Sequence, residues 1–426
     1  MVGALLSIAL LLGLLVLGTP MVVALMLAVV LNFLIAGEWL LVLPQTMVSG
    51  MSTFTLIALP LFVLSGVIMN AGGISGRLFD FARALVGWLR GGLAQVNVLT
   101  SMFFGGMIGS STADLAGSGS ILIPAMKREN YPGEIAAAVS ASSSGIGPLI
   151  PPSSPLILYS AITGTSLGTL FLAGLIPGLL LGLTFMVLVA LIAWRRGWPR
   201  HGRLSGGEIV VSGRRAAYAF GMPAIIVGGL VLGVFTPSEA GAFAVVYALV
   251  ISLFVYKTLR WRDVFRVFVN ALQLTGELLI IVSLSFALGA SLANAQVPQA
   301  LADVINTLAV VDSLYVKLLL LVALAIVAGM FLDPLIPVLV PVILPTLMIY
   351  DIDLVHFGVL MVVAVVIGQL TPPLAIAIII TSRIAEVDQL KILRANLPFF
   401  LTLVAFMLAL IAVPEVATWL PSLLDR

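Results

Sequence analysis

A chain of 426 residues with 61% hydrophobic side chains, 9% charged and a mean hydropathy of +1.24 is not a soluble globular protein, since a water-facing surface takes roughly 25% charged residues. A net charge of +2 gives no strong electrostatic partner, and zero cysteines exclude disulfides, thiolate metal sites and haem thioethers. Two histidines, His201 and His356, leave little for metal or acid–base chemistry.

The chain opens on Met1-Val2-Gly3-Ala4 without a positive n-region, so its first apolar run reads as a retained helix. Apolar runs bounded by Gly, Pro and charge follow at 4–18, 20–36, 53–70, 93–126, 134–163, 168–194, 216–235, 238–256, 272–293, 315–349, 354–382 and 396–413. One crossing takes about 17–25 residues. Segment 93–126 exceeds that and is broken by Gly105-Gly106, Gly109-Ser110-Ser111-Thr112 and Gly117-Ser118-Gly119; segment 315–349 is broken by Asp333-Pro334, Pro337, Pro341 and Pro345. Segments 134–163 and 354–382 are interrupted at Ser142-to-Pro152 and at Gly368-Gln369-Leu370-Thr371-Pro372-Pro373. Backbone freed by such breaks cannot face lipid and must line a protein-enclosed, partly wet site.

Charge tests the topology. With 93–126 and 315–349 as hairpins that enter and leave on one side, the clusters from Arg77 through Arg195, Arg196, Arg200, Arg203 and Arg262 to Arg394 share one face. Of the 20 Lys and Arg, only Lys317 and Arg426 fall opposite. The excess of positive charge makes that face cytoplasmic. A single crossing at either hairpin would have switched every later cluster to the other side.

An internal repeat is also legible. Pro124 and Pro345, Pro151 and Pro372, Pro152 and Pro373, Pro177 and Pro398, and Gly147 and Gly368 share an offset of 221 residues, while Asn70-Ala71 and Asn294-Ala295 match at 224. An odd number of crossings separates the copies, so the second is upside down. The expected fold is therefore an all-α polytopic membrane protein, an inverted-repeat transporter fold with two re-entrant helical hairpins and two broken helices. Its units are N-terminal scaffold helices (1–52), a first repeat (53–195), connecting scaffold helices (196–271) and a second repeat (272–426).

The chemistry concentrates at the breaks. Glycine-exposed carbonyls and short hydroxyls at Gly109, Ser110, Thr112, Gly145 and Gly147 are hard oxygen donors suited to an alkali cation. Asp333, an intramembrane carboxylate, with Gly368 and Thr371, forms the corresponding set of the second repeat. Half-helix N-termini attract anions. Ser111, Ser143, Ser144, Ser153 and Ser154, with the crossover prolines Pro151, Pro152 and Pro372, are thus the candidate substrate surface. Small residues also suit tight helix packing, but here two clusters sit in segments that length and proline mark independently as broken. Asp114 reads as an ion ligand or as a cap of the returning hairpin helix. Glu239 reads as a helix cap after Thr236-Pro237-Ser238, His356 as structural and His201 as solvated in an Arg-rich loop.

Several motifs resemble the large membrane subunit of tripartite ATP-independent periplasmic (TRAP) transporters. They are Phe54-Thr55-Leu56-Ile57-Ala58-Leu59-Pro60-Leu61-Phe62, Gly109-Ser110-Ser111-Thr112-Ala113-Asp114, Ile123-Pro124-Ala125-Met126 and the Ser-rich stretch from Gly145 to Pro155. Thr236-Pro237-Ser238-Glu239-Ala240, Gly329-Met330-Phe331-Leu332-Asp333 and Gly368-Gln369-Leu370-Thr371-Pro372-Pro373 complete the set, in register along essentially the whole chain. The resemblance implies Na⁺-driven uptake of an organic acid anion by an elevator motion in a bacterial inner membrane, with no other cofactor. It implies two further proteins, a small four-helix membrane subunit and a periplasmic substrate-binding protein, and sodium sites at Gly109, Ser110, Gly145 and Gly147 and at Asp333, Gly368 and Thr371. The substrate stays open among C4-dicarboxylates, sialic acids, keto acids and sugar acids.

The nearest alternative is a self-sufficient sodium- or proton-coupled carboxylate symporter, which shares the two-hairpin plan. An intramembrane protease would need Ser with His inside the membrane, or two paired aspartates, and an ATP-driven pump would need a phosphate-binding loop that the sequence lacks.

Overall fold

The computed structural model describes residues 2–198, 204–309 and 313–423, all helix and connection without a strand; the expectations placed on Arg200, His201, Arg203 and Arg426 lie outside them. Helices α1 (Val2–Val16), α2 (Met21–Ala36) and α3 (Val42–Met51) precede α4 (Phe54–Ala71) and the amphipathic α5 (Ile74–Val86). The first hairpin runs along α6 (Gly92–Ile108) and back through α7 (Ser111–Asp114), a π turn over Leu115–Gly119, and α8 (Ser120–Arg128). The first broken helix is α9 (Gly133–Ser143), one 3₁₀ turn and α10 (Ser154–Thr163). Then come α11 (Leu167–Arg195), α12 (Gly206–Val231), α13 (Pro237–Val250) with a π extension, and α14 (Trp261–Asn294). The second repeat adds α15 (Val297–Leu308), the hairpin of α16 (Leu314–Gly329) and α17 (Leu335–Ile349), the broken helix of α18 (Leu354–Leu370) and α19 (Ile376–Ala385), then α20 (Gln389–Ala412) and α21 (Glu415–Ser422).

Lengths decide which helices cross. Five among the described residues are long and apolar enough alone, namely α4, α11, α13 with its extension, α14 and α20. The limbs α16 and α17 have 16 and 15 residues, about 24 Å at 1.5 Å per residue, short of a hydrocarbon core of about 30 Å. They fit a hairpin that turns back inside the membrane. On α11, Leu179, Leu183, Val187 and Leu191 form an exposed stripe at four-residue spacing, while Leu181, Phe185 and Val189 are buried. That division separates a lipid face from a protein face.

Two expected segments start too late. The helix expected at 216–235 begins at Gly206, capped by Ser205, whose Oγ accepts from Glu208 N at 3.4 Å. The one expected at 272–293 begins at Trp261 and runs for 34 residues, about 51 Å. Apolar runs mark only the lipid-embedded part of a helix. The polar extension of α14 keeps its charges, with Arg266 paired to Asp263 at 2.7 Å, and stays helical because nothing in it breaks a helix. The 195–215 connection is accordingly shorter than expected, and α5 and α15 were invisible to a span-length criterion because they are short and amphipathic.

Packing repeats the duplication. Hairpin limb α6 lies on α9, as α16 lies on α18; α9 packs on α20, as α18 packs on α11; α8 meets α19, as α17 meets α10. Glycines set the closest approaches. A Cβ on Gly105 would stand 2.7 Å from the Gly147 Cα, and one on Gly368 would stand 2.5 Å from the Gly329 carbonyl. These pairs are equivalents, since Gly329 lies 224 residues after Gly105 and Gly368 lies 221 after Gly147. Each hairpin thus meets its broken helix through a glycine–glycine contact. Gly145 has no room for a Cβ because Val366 Cγ1 would lie 2.2 Å away; Val366 is its own counterpart, as expected where a pseudo-twofold axis passes.

Two outcomes follow from this packing. Gly105→Ala and Gly368→Ala should each cost about 1–3 kcal/mol through overpacking, measured as a lower melting temperature of the purified chain. Gly228→Ala, with nothing within 4 Å, should leave it unchanged. The chain has no cysteine background, so cysteines at the exposed positions Gly207 and Arg262 should react with an impermeant maleimide only from the cytoplasm, and those at Asp303 and Glu239 only from the outside. Labelling of Gly207 and Asp303 from the same side would contradict the inverted arrangement.

Candidate functional site

The first hairpin turns at Gly109, whose φ of +59° and proximity to the Pro152 carbonyl, 2.0 Å from where a Cβ would stand, admit only glycine. The Gly109 carbonyl accepts from Ser154 N at 3.3 Å, tying the hairpin tip to the crossover of the first broken helix. Ser110 is extended and caps α7, its Oγ 3.1 Å from Thr112 Oγ1. Across the contact, Ser144 donates to Ala141 O at 2.9 Å and its carbonyl accepts from Gly147 N at 3.2 Å. Ser153 donates to the Pro148 carbonyl and caps α10, accepting from Leu156 N at 3.3 Å. Ser143 accepts from Ser101 at 3.2 Å and lies 3.3 Å from Asn97 Oδ1. The peptide bond Pro151-Pro152 is cis. Ser143, Ser144, Pro151, Pro152 and Ser153 are buried, whereas Ser110, Thr112 and Ser154 are half-buried.

The second hairpin places Asp333 where the first has Gly109, by the same offset of 224. Its carboxylate accepts from Gln369 Nε2 at 3.3 and 3.4 Å, so the tip of this hairpin is held by the broken helix α18. Thr371 ends α18, its N donating to Gly368 O at 3.0 Å and its Oγ1 to Ile367 O at 2.6 Å. Asp333-Pro334 and Pro372-Pro373 are cis. Pro372 and Pro373 are exposed and Thr371 half-buried, so this crossover is open where its counterpart at 147–153 is enclosed.

The tertiary structure therefore joins Gly109, Ser110 and Thr112 to the 145–154 crossover, and Asp333 to the 368–371 turn. Glycine carbonyls, hydroxyls and one carboxylate converge on breaks where helix ends leave backbone groups without intrahelical partners. That donor set suits a hard monovalent cation better than redox or nucleophilic chemistry. Glu239 forms a capping box with Thr236, accepting from its N at 2.8 Å. His356 is buried, with Nε2 2.9 Å from Leu410 O. Both are structural, as the sequence suggests.

Three polar partners lay outside the expected site. Gln369 holds Asp333; Asn97 donates to Ser140 Oγ at 2.6 Å; Asn396 accepts from Ser142 across the two repeats. A signal existed for each, since a carboxamide within an otherwise apolar membrane helix is costly unless it is bonded.

Comparison with known proteins agrees with this architecture. The family model "Tripartite ATP-independent periplasmic transporter, DctM component" matches residues 8–416. The C4-dicarboxylate TRAP transporter large permease protein DctM of Pseudomonas aeruginosa is 38% identical over 371 residues, covering 87% of this chain and 86% of its own. The sialic acid TRAP transporter permease protein SiaT of Haemophilus influenzae is 35% identical over 382 residues, covering 89% of this chain; the chain spans 62% of that relative's length. Among solved structures, the YdaH transporter of Alcanivorax borkumensis superposes with a TM-score of 0.60 over 86% of this chain and 87% of its own; at 16% identity the likeness is one of fold. A family model that runs nearly end to end, over hairpins and broken helices in the expected register, means that the chain belongs to the large permease subunits of the TRAP transporters, which are inner-membrane transport proteins and not enzymes.

Proposed function

We propose that this chain carries an organic acid anion inward across the membrane, driven by sodium and fed by a periplasmic binding protein, with a small four-helix membrane subunit as its second partner. The observation that carries the reading is the convergence of two inverted hairpin tips on two broken helices, each through a glycine–glycine contact and each supplying oxygen donors. Inverted broken helices favour alternating access over a channel. Sodium at Gly109, Ser110, Thr112, Gly145 and Gly147, and at Asp333, Gly368 and Thr371, offsets the negative charge of the cargo. Half-buried Ser154 and exposed Pro372 stay open to an approaching anion, whereas Ser111 is buried in the hairpin and Ser143, Ser144, Pro151, Pro152 and Ser153 act from behind, holding the shape of the crossover.

Sialic acid and C4-dicarboxylate, named for the two relatives, are both carboxylates, which supports that substrate class here. Movement follows from the packing. Hairpins and broken helices cohere through glycine contacts, and sliding that unit against the scaffold as an elevator moves the site without opening either crossover to lipid. Outer connections such as 164–166 and 232–236 are short, which leaves capture of scarce solute to a separate binding protein.

Reconstitution in liposomes under an inward sodium gradient tests this, with small subunit and binding protein added singly and together. Uptake should need all three proteins. Robust sodium-driven uptake by this chain alone would place it with the self-sufficient symporters. In the complete system, Ser110→Ala or Asp333→Ala should raise the sodium concentration for half-maximal uptake by about tenfold or more. An unchanged sodium midpoint with normal rate would remove that residue from the ion sites.

A further inference from the structure

The interior of the first hairpin holds a polar cluster that the tip site does not use. Residues 111, 114 and 118 fall on one face of the returning limb, as helical spacing of three and four requires, and Ser111, Asp114 and Ser118 are only 3%, 1% and 4% exposed. The π turn over Leu115–Gly119 brings Ser118 back onto Asp114. Its Oγ lies 2.5 Å from Asp114 Oδ1 and 3.0 Å from the Asp114 carbonyl. From the facing limb α6, Ser101 stands beside the same carboxylate with its proton given to Ser143, at 3.2 Å, so its oxygen lone pairs stay free. The carboxylate is still unsatisfied, because Asp114 Oδ2 and Ser111 Oγ are fully buried without a hydrogen-bond partner. No protein cation neutralises it either; Arg266–Asp263 is the single ion pair among the described residues.

The second repeat supplies an internal control. Ser101 becomes Ala325 at the offset of 224 that relates Gly105 to Gly329, and along the returning limb, where the offset falls from 224 to 221, Ser111 becomes Leu335 or Leu332, Asp114 becomes Val338 or Leu335 and Ser118 becomes Val342 or Leu339. That hairpin makes the same glycine contact with its broken helix using apolar side chains at all four positions. The hairpin fold therefore does not need polar groups there. Burying a carboxylate with one oxygen unanswered beside the unpartnered Ser111 hydroxyl costs free energy that the fold does not return unless something binds them.

We propose that Asp114, with the hydroxyls of Ser101, Ser111 and Ser118, holds a monovalent cation inside the first hairpin, in addition to the cation at its tip. The donor chemistry selects the class. Carboxylate and hydroxyl oxygens are hard ligands, and no group of three or more His, Cys, Asp or Glu exists among the described residues, so the single negative charge balances one positive charge and not two. Each hairpin then carries one carboxylate, Asp114 inside the first and Asp333 at the tip of the second, and each crosses the membrane neutralised. The identity of the cation as sodium rests on the sodium coupling proposed above.

The test counts sodium ions bound by the purified wild-type chain with radioactive sodium, alongside Asp114→Asn, Ser118→Ala and the tip variant Ser110→Ala. Asp114→Asn, nearly isosteric, should bind one ion fewer per chain than wild type. Ser118→Ala should keep that ion with about tenfold weaker affinity or worse, and it serves as the reading if Asp114→Asn does not fold. Ser110→Ala should weaken a different ion by about tenfold or more, so that its combination with Asp114→Asn shows both one ion fewer and a weakened tip site. Full sodium binding with unchanged affinity in Asp114→Asn and Ser118→Ala overturns the proposal and leaves Asp114 as a protonated packing group, while the coupling reading survives. A wild-type chain that binds no sodium sinks both.

Discussion

Backbone amides have no hydrogen-bonding partner in hydrocarbon, and the rest of this structure is arranged around that constraint. Four helical elements stop inside the membrane, at 109–110, 144–153, 330–334 and 371–375. Each break exposes several N–H and C=O groups that would cost several kcal/mol apiece against lipid. The solution is mutual cover. The Gly109 carbonyl takes the Ser154 amide, Ser153 closes onto Pro148, and Gln369 reaches across to Asp333. Glycine at 105, 147, 329 and 368 brings the hairpin close enough to its broken helix for that cover to work. The long helices α4, α11, α13, α14 and α20 then enclose the assembly and turn their apolar faces outward.

Covered breaks are also what make a transport site possible. Groups unsatisfied by the fold are available to a passenger, and they are few and fixed in direction. The two repeats solve the covering problem in the same way and then diverge in chemistry. Gly109 in one is Asp333 in the other, and the crossover at 147–153 is enclosed while 371–373 is open to its surroundings. Asymmetric use of a symmetric frame buries a carboxylate in the interior of one hairpin and presents one at the tip of the other. Neither arrangement disturbs the glycine contacts that hold the unit together.

Much of this was legible beforehand because membrane sequences write their topology in composition. Interrupted runs at 93–126 and 315–349, charge on one side, and prolines at a constant offset led to hairpins and an inverted repeat. Pro124 and Pro345 sit within the corresponding limbs α8 and α17, and Pro177 and Pro398 within α11 and α20. What escaped were features that hydropathy does not record. The polar reach of α12 and α14 beyond their apolar runs, and the short helices α5 and α15, are polar on one side and so look like connections. Gln369, Asn97 and Asn396 stand in apolar helices far along the chain from the groups they bond, at separations of 36, 43 and 254 residues.

By itself, the sequence determined that the chain lives in a bilayer, which segments break there, where the positive charge gathers between them and which family its motifs resemble. All of these follow from local composition and spacing, because the bilayer imposes one dielectric and one thickness on every segment alike. Only the tertiary structure decided which oxygen donors face one another, that Ser153 and Ser144 serve the shape of a crossover, that Gly145 rests on its own counterpart Val366, and that Asp114 is buried with an oxygen unanswered. Those facts depend on close approach between helices distant in sequence. Approach is set by the volumes and polar partners on both sides of a contact, which no single stretch of chain contains.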